Sequence, residues 1–153
     1  MIERATPLSL ASVQALAVPG RCAIGGAELE LHPATGHTAD GMAIWIPWAR
    51  VLVAGDYLSS IELPGIGEGA AMLDAYLVTL ERLRPLAAAA EHVVPGHGPV
   101  LDGEAASHVL DEDVTYLQTL RERSAEAELP RRRRSRAQRE LHQQNVARLQ
   151  AAA

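Results

Sequence analysis

Residues 35–57 read TGHTADGMAIWIPWARVLVAGDY, and their reading decides the fold. Two short apolar runs, 42–47 and 51–54, are joined by Trp48-Ala49-Arg50, the pattern of an antiparallel hairpin. A hairpin returns the chain to its starting level, so Met42 and Asp56 should lie nearly opposite each other. His37 precedes the first strand and falls at the same end. An imidazole and a carboxylate nineteen residues apart are thereby expected side by side at one rim of a sheet. A third segment, EHVVPGHG at 91–98, is a short β-type run that breaks at Pro95-Gly96 and presents His97. Glycines on both sides of His97 allow a tight turn and leave the ring uncrowded. Each of these polar groups adjoins a buried strand at a glycine-containing turn, where loops held by rigid elements carry chemistry. Two histidines and an aspartate are ligands suited to zinc or iron.

Together and in this order, GHTADG (36–41), VLVAGD (51–56) and VVPGHGPV (93–100) resemble the second half of the metallo-β-lactamase superfamily of hydrolases, over roughly residues 20 to 120. The resemblance implies a metal-binding role for His37, a metal-bridging and catalytic carboxylate in Asp56, and a second-metal histidine in His97. It implies zinc as cofactor, one or two ions in the complete protein, with iron or manganese as alternatives. Loop residues Tyr57, Ser59 and Glu62 follow the rim and become candidates for substrate contact. The family's signature, His-x-His-x-Asp-His, lies upstream of the GHT loop. Here 36 residues precede His37 and only His32 among them is a histidine, so the signature is absent.

The expectation is therefore a zinc-dependent hydrolase, truncated here and inactive or weakly active alone. The alternative is a non-catalytic half-fold that binds a partner through its sheet face. The chemistry implied is metal-assisted hydrolysis of a small-molecule ester, thioester, lactone or phosphodiester. Asp56 stands where one group of β-lactamases uses cysteine, which argues against penicillin cleavage. The fold implied is α/β: half of an αββα sandwich, a sheet with helices on its outer face. Such a half exposes the apolar sheet face that its twin covers, and a second copy or another partner would be expected to shield it.

Composition bounds the rest. At 153 residues and 48% apolar content the chain suffices for one domain with a real core. A net charge of −5 argues against a general nucleic-acid binder. Lysine and phenylalanine are both missing, a bias that fits a GC-rich coding sequence. The single cysteine, Cys22, excludes an internal disulfide and reads as a small buried hydrophobe. No run of eighteen apolar residues occurs, so no membrane span is expected. The opening twenty residues lack the charge and core of a signal peptide, and a cytoplasmic location follows by default.

In chain order, 7–16 reads as a weak helix or loop, and 21–24 and 27–32 as strands around Gly25-Gly26. His32 reads as a solvated strand-end residue, and Trp45 and Trp48 as packing residues. Helical spacing over 68–84 places Met72, Leu73, Tyr76, Leu77, Leu80 and Leu83 on one face, with Pro85 as the stop. Asp102 caps a helix whose buried stripe is Ala106, Leu110, Val114, Leu117 and Leu120, with His108 exposed. Three segments result: a partial metallo-β-lactamase-like domain at 1–123, a charged linker at 124–135, and a C-terminal helix and tail at 136–153. The four arginines at 131–134 read as a solvated cluster or an acidic-partner contact. Without interleaved aromatics they make a poor nucleic-acid site. Ser135 and Gln138 form a capping box that opens a thinly apolar final helix, expected to dock loosely or fray before disordered terminal alanines.

Overall fold

The computed structural model describes residues 16–123 and 127–150. The expected disordered terminal alanines, and nearly all of the expected helix or loop at 7–16, lie outside the described residues. Five strands form one mixed sheet in sequence order: β1 (Gly20–Ile24), β2 (Ala27–Pro33), β3 (Met42–Ile46), β4 (Val51–Gly55) and β5 (His92–Pro95). The first four pair antiparallel, and β4 pairs β5 in parallel. The β3–β4 hairpin has the expected placement, with Ile44 opposite Val53 and a short 3-10 turn, Pro47–Ala49, between the strands. A parallel pair needs a crossover, supplied by the loop after Asp56 and by α1 (Ala70–Ala89). Helices α2 (Gly103–Arg123) and α3 (Arg136–Gln150) complete the described structure.

Register divides the sheet faces. Ala43, Leu52, Ala54 and Val93 are fully buried and share the main core with Leu73, Tyr76, Leu80 and Leu83 of α1 and Leu110, Tyr116, Leu117 and Leu120 of α2. On the other face stand Leu31, Ile44 and Val53, neighbours by pairing. Leu31 is buried, whereas Ile44 and Val53 are half-buried. The fold is thus α/β, with α1 and α2 on one face of the sheet.

Six details depart from the sequence reading, one being that Cys22 is half-buried in β1 and not buried. First, α1 runs through Pro85 to Ala89 instead of stopping at Arg84. An interior proline costs about 3 kcal/mol. Pro85 itself faces solvent, and the turn it sits in buries Leu83 and Ala87. Burying one leucine stabilises by about 1.5–3 kcal/mol, and the alanines that follow are the best helix formers, so the helix continues. Second, Trp45 packs against the core, but Trp48 is 67% exposed in the turn at the hairpin tip. Third, His32 stands near the end of β2 as expected, but it is half-buried beside Glu30 and not solvated.

Fourth, the arginine cluster is not uniformly solvated. Arg131, Arg132 and Arg134 are exposed, but Arg133 is 1% exposed. Its guanidinium donates to Asp113 Oδ1 at 2.5 Å, to Glu112 Oε2 at 3.1 Å, and to the Glu62 and Ser59 carbonyls at 2.9 and 3.3 Å. A buried guanidinium demands such partners because desolvating an unpaired charge is costly. Sequence reading sees four identical residues; only the turn at Pro130, whose carbonyl accepts from Arg133 N–H, selects which one points inward.

Fifth, α3 does not dock loosely. Ser135 Oγ caps it by accepting from Gln138 N–H, but the Gln138 side chain does not fold back to complete the box. It accepts instead from Leu63 N–H at 2.6 Å, and Asn145, 0% exposed, is wholly enclosed. Polar side chains anchor this helix, so its thin apolar stripe understates its attachment.

Removing Arg133 leaves the buried Asp113 carboxyl and two loop carbonyls without their donor. Arg133→Ser is therefore expected to lose about 3–5 kcal/mol of stability. Arg131→Ser and Arg132→Ser should stay within about 0.5 kcal/mol of the parent. Urea unfolding of the three variants checks this, and equal midpoints would contradict the buried arrangement.

Candidate metal centre

His37, Asp56 and His97 meet at one rim of the sheet. Three separate elements bring them there: the loop between β2 and β3, the end of β4, and the end of β5. The β4–β5 pairing carries past the strands, with Gly96 N–H donating to the Gly55 carbonyl at 2.6 Å. A Cβ at Gly96 would come within 3.2 Å of Asp56 Oδ1, so the absent side chain keeps the carboxylate clear.

The loop carrying His37 is held from below. Gly36 has φ 134°, and a Cβ there would overlap the backbone of Tyr76, so α1 can approach the loop only across a glycine. Tyr57, 2% exposed, lies against Tyr76 with ring centroids 4.2 Å apart. Its hydroxyl donates to the Thr35 carbonyl at 2.8 Å and accepts from His37 N–H at 3.3 Å. Burial pushes the Tyr57 phenol up to about 12, keeping it a donor throughout the neutral range. Thr79 of α1 adds a bond to the same Thr35 carbonyl at 2.7 Å.

The imidazole of His37 is oriented as well as anchored. Its Nδ1 lies 2.6 Å from the Gly65 carbonyl oxygen. A carbonyl can only accept, so Nδ1 carries the proton and Nε2 is left with a free lone pair. That Nε2 lies 3.7 Å from Asp56 Oδ2, while His97 Nε2 lies 3.4 Å from Asp56 Oδ1. One carboxylate thus offers a different oxygen to each of two imidazoles. Both gaps are wide for a hydrogen bond. Two ligands bound at roughly 2.0–2.2 Å to a tetrahedral ion stand about 3.4 Å apart, close to the spacing seen. The donor chemistry and spacing therefore fit a divalent ion of zinc type. Among the described residues no three such donors converge on one point, so each gap is flanked by two.

The three side chains edge a cavity of about 270 Å³. Ser59 and Glu62 line it, as the sequence reading expected, with Ser59 Oγ also accepting from the Ile61 and Glu62 N–H groups. Tyr57 lies outside that lining and acts on the His37 loop instead. Sequence reasoning missed the opposite wall, formed by Leu141, Gln144 and Arg148 of α3, and the Asp113 carboxyl at its base. The spacing of Gln138, Leu141, Asn145 and Arg148, three or four residues each, was the available signal: a helical stripe of mixed polarity.

No protein-family profile matches the chain. It is similar to a β-lactamase-like protein 2 homolog from Caenorhabditis elegans, 36% identical over 83 residues, which cover 52% of this chain and 25% of that protein. A metallo-β-lactamase type 2 from Bacillus sp. (strain 170) is 32% identical over 89 residues, 57% of this chain and 35% of that one. Among solved structures, a metallo-β-lactamase from Pontibacter korlensis superposes with a TM-score of 0.50 at 30% identity, covering 67% of this chain and 47% of that chain. A metallo-β-lactamase family protein from Thermus thermophilus shares the fold, with a TM-score of 0.60 at 23% identity over 68% of this chain and 35% of that one. The chain spans between 25% and 39% of the length of the curated relatives it matches.

Asp113, at the base of the cavity, is pushed by burial up to about 7, against the pull of the Arg133 guanidinium. The folded chain therefore keeps a proton that the unfolded chain, with its ordinary value of 3.8, releases. This group's contribution to stability is complete below pH 3.8 and falls away as pH rises through about 7. The urea midpoint is expected to decline across that window more steeply in the parent than in Asp113→Asn. Identical pH dependence in the two proteins would contradict it.

Proposed function

Because the chain belongs to the metallo-β-lactamase superfamily, of whose fold it carries a part, we propose that it serves a metal-dependent hydrolase. The observation that carries this reading is the single carboxylate of Asp56 set between the Nε2 atoms of His37 and His97. His37, Asp56 and His97 are the residues that would hold the metal. Zinc is the ion proposed, since imidazole and carboxylate are its common ligands. Bound there, such an ion would supply Lewis acidity and a water acidic enough to act near neutral pH. The protein's own part is positional. Gly65 fixes the His37 tautomer, Tyr57 and Thr79 fix its loop, and Gly96 keeps space beside Asp56. The cavity wall of Ser59, Glu62, Gln144 and Arg148 would contact a small ester, thioester, lactone or phosphodiester. With two protein ligands per gap, metal binding by this chain alone is expected to be weak and turnover low. The same reading takes the cytoplasm as its compartment.

A second reading has its own observation. Met42, Ile44, Ile46, Val51 and Val53 are only half-buried, so a non-catalytic chain whose sheet face binds a partner is also supported. It predicts concentration-dependent association without metal uptake.

Asp56→Asn separates the two. Loss of the bridging charge should lower zinc affinity at least tenfold, and any hydrolysis of the substrates above by about a hundredfold. The melting temperature should hardly move, because a rim side chain that is half exposed fills no core cavity. Zinc titration, turnover and thermal melting of both proteins test this. Unchanged zinc affinity in Asp56→Asn would overturn the metallohydrolase reading.

A further inference from the structure

The buried amide of Asn145 brackets one residue of the cavity loop. Its Oδ1 accepts from Ile66 N–H at 3.1 Å, and its Nδ2 donates to the Pro64 carbonyl at 2.7 Å. Between those two residues lies Gly65, whose carbonyl receives His37 Nδ1. Two neighbours on α3 extend the hold. Gln138 accepts from Leu63 N–H at 2.6 Å, and Arg148 Nη1 donates to the Ile66 carbonyl at 2.5 Å. The loop is tied back to the His37 loop by Gly67 N–H, which donates to the Gly36 carbonyl at 2.7 Å. A third bond of Asn145, from Nδ2 to the Tyr116 hydroxyl at 3.1 Å, fastens the amide to α2.

We propose that Asn145 is a positioning residue for the metal centre: by clamping Pro64 and Ile66 it aims the Gly65 carbonyl at His37 and so fixes which imidazole nitrogen is free for the ion. The physical case rests on the number of constraints. Residues 63–66 have neither helical nor strand structure to hold them. Without side-chain partners, their buried N–H and carbonyl groups would be unsatisfied and the loop would settle elsewhere. Asn suits the task because one planar amide supplies both a donor and an acceptor, so it can bond on both sides of Gly65. The helix that looks least attached in sequence thereby governs a histidine more than a hundred residues earlier. In metal sites generally, partners that orient a ligating imidazole change metal affinity by about 10–100-fold when removed.

This inference rests on the metal reading for its consequence, but its structural half is measurable in metal-free protein. Nitrogen-15 NMR of the full chain, at a pH where imidazoles are neutral, should show His37 as a single Nδ1–H tautomer. Asn145→Ala should give a mixture of tautomers and lower zinc affinity about 10–100-fold. Tyr116→Phe removes the third bond of the amide and the Tyr116–His142 bond but spares both bonds to the loop, and should leave both readouts at parental values. Should Asn145→Ala fail to fold, Arg148→Gln removes one loop bond near the helix end and should shift both readouts in the same direction, by less. A purely structural role would lower the melting temperature and leave tautomer and affinity unchanged, and that result overturns the proposal. If the parent binds no zinc, the metallohydrolase reading falls, while the tautomer comparison still decides the role of Asn145.

Discussion

The hydrogen bond from His37 Nδ1 to the Gly65 carbonyl is the interaction on which the rim depends. It joins two loops that the strands alone would leave independent, and it decides the proton's place on the imidazole. Everything beneath it keeps those loops in register. Gly36 lets α1 approach closely, Tyr57 and Thr79 hold the Thr35 carbonyl, and α3 holds the backbone around Gly65. The chain of cause runs from a helix 15 residues long to one ring nitrogen.

Two kinds of cohesion divide the molecule. The sheet and the helices α1 and α2 cohere through apolar burial, which is non-directional and tolerant of exchange. The cavity region coheres through directed bonds from buried polar groups: Arg133 to Asp113 and to loop carbonyls, Gln138 to Leu63, Asn145 to Pro64 and Ile66. Such bonds are modest in net stabilisation but costly to leave half-made. They suit a surface whose task is to keep a few donors at fixed spacing, because each has a single satisfactory geometry. Leu58 fits the same picture. It is fully buried with φ 61°, a left-handed backbone that costs about 1–2 kcal/mol, two residues after Asp56.

What could be read from sequence follows from locality. The β3–β4 hairpin, the Gly25-Gly26 turn and the Asp102 cap are each decided within a dozen residues, and pattern suffices for them. The meeting of His37, Asp56 and His97 needed one further step, that strands joined by turns return to the same rim. Arg133 could not be singled out, since its three neighbours are chemically identical and its partners lie some twenty and seventy residues away. Pro85 misled because a local rule was outweighed by the burial of Leu83 and Ala87. The strength of the α3 attachment stayed hidden because periodicity weighs only apolar residues, and this helix adds two amides and an arginine to the packing of Leu141, Val146 and Leu149.

The most direct measurement is anomalous diffraction at the zinc absorption edge from crystals of the chain soaked in zinc. The account predicts anomalous density in the gaps between Asp56 and the Nε2 atoms of His37 and His97, with His37 Nδ1 still on Gly65. Zinc found only elsewhere, such as between His108 and Glu112 on the exposed face of α2, with the rim empty, would contradict it.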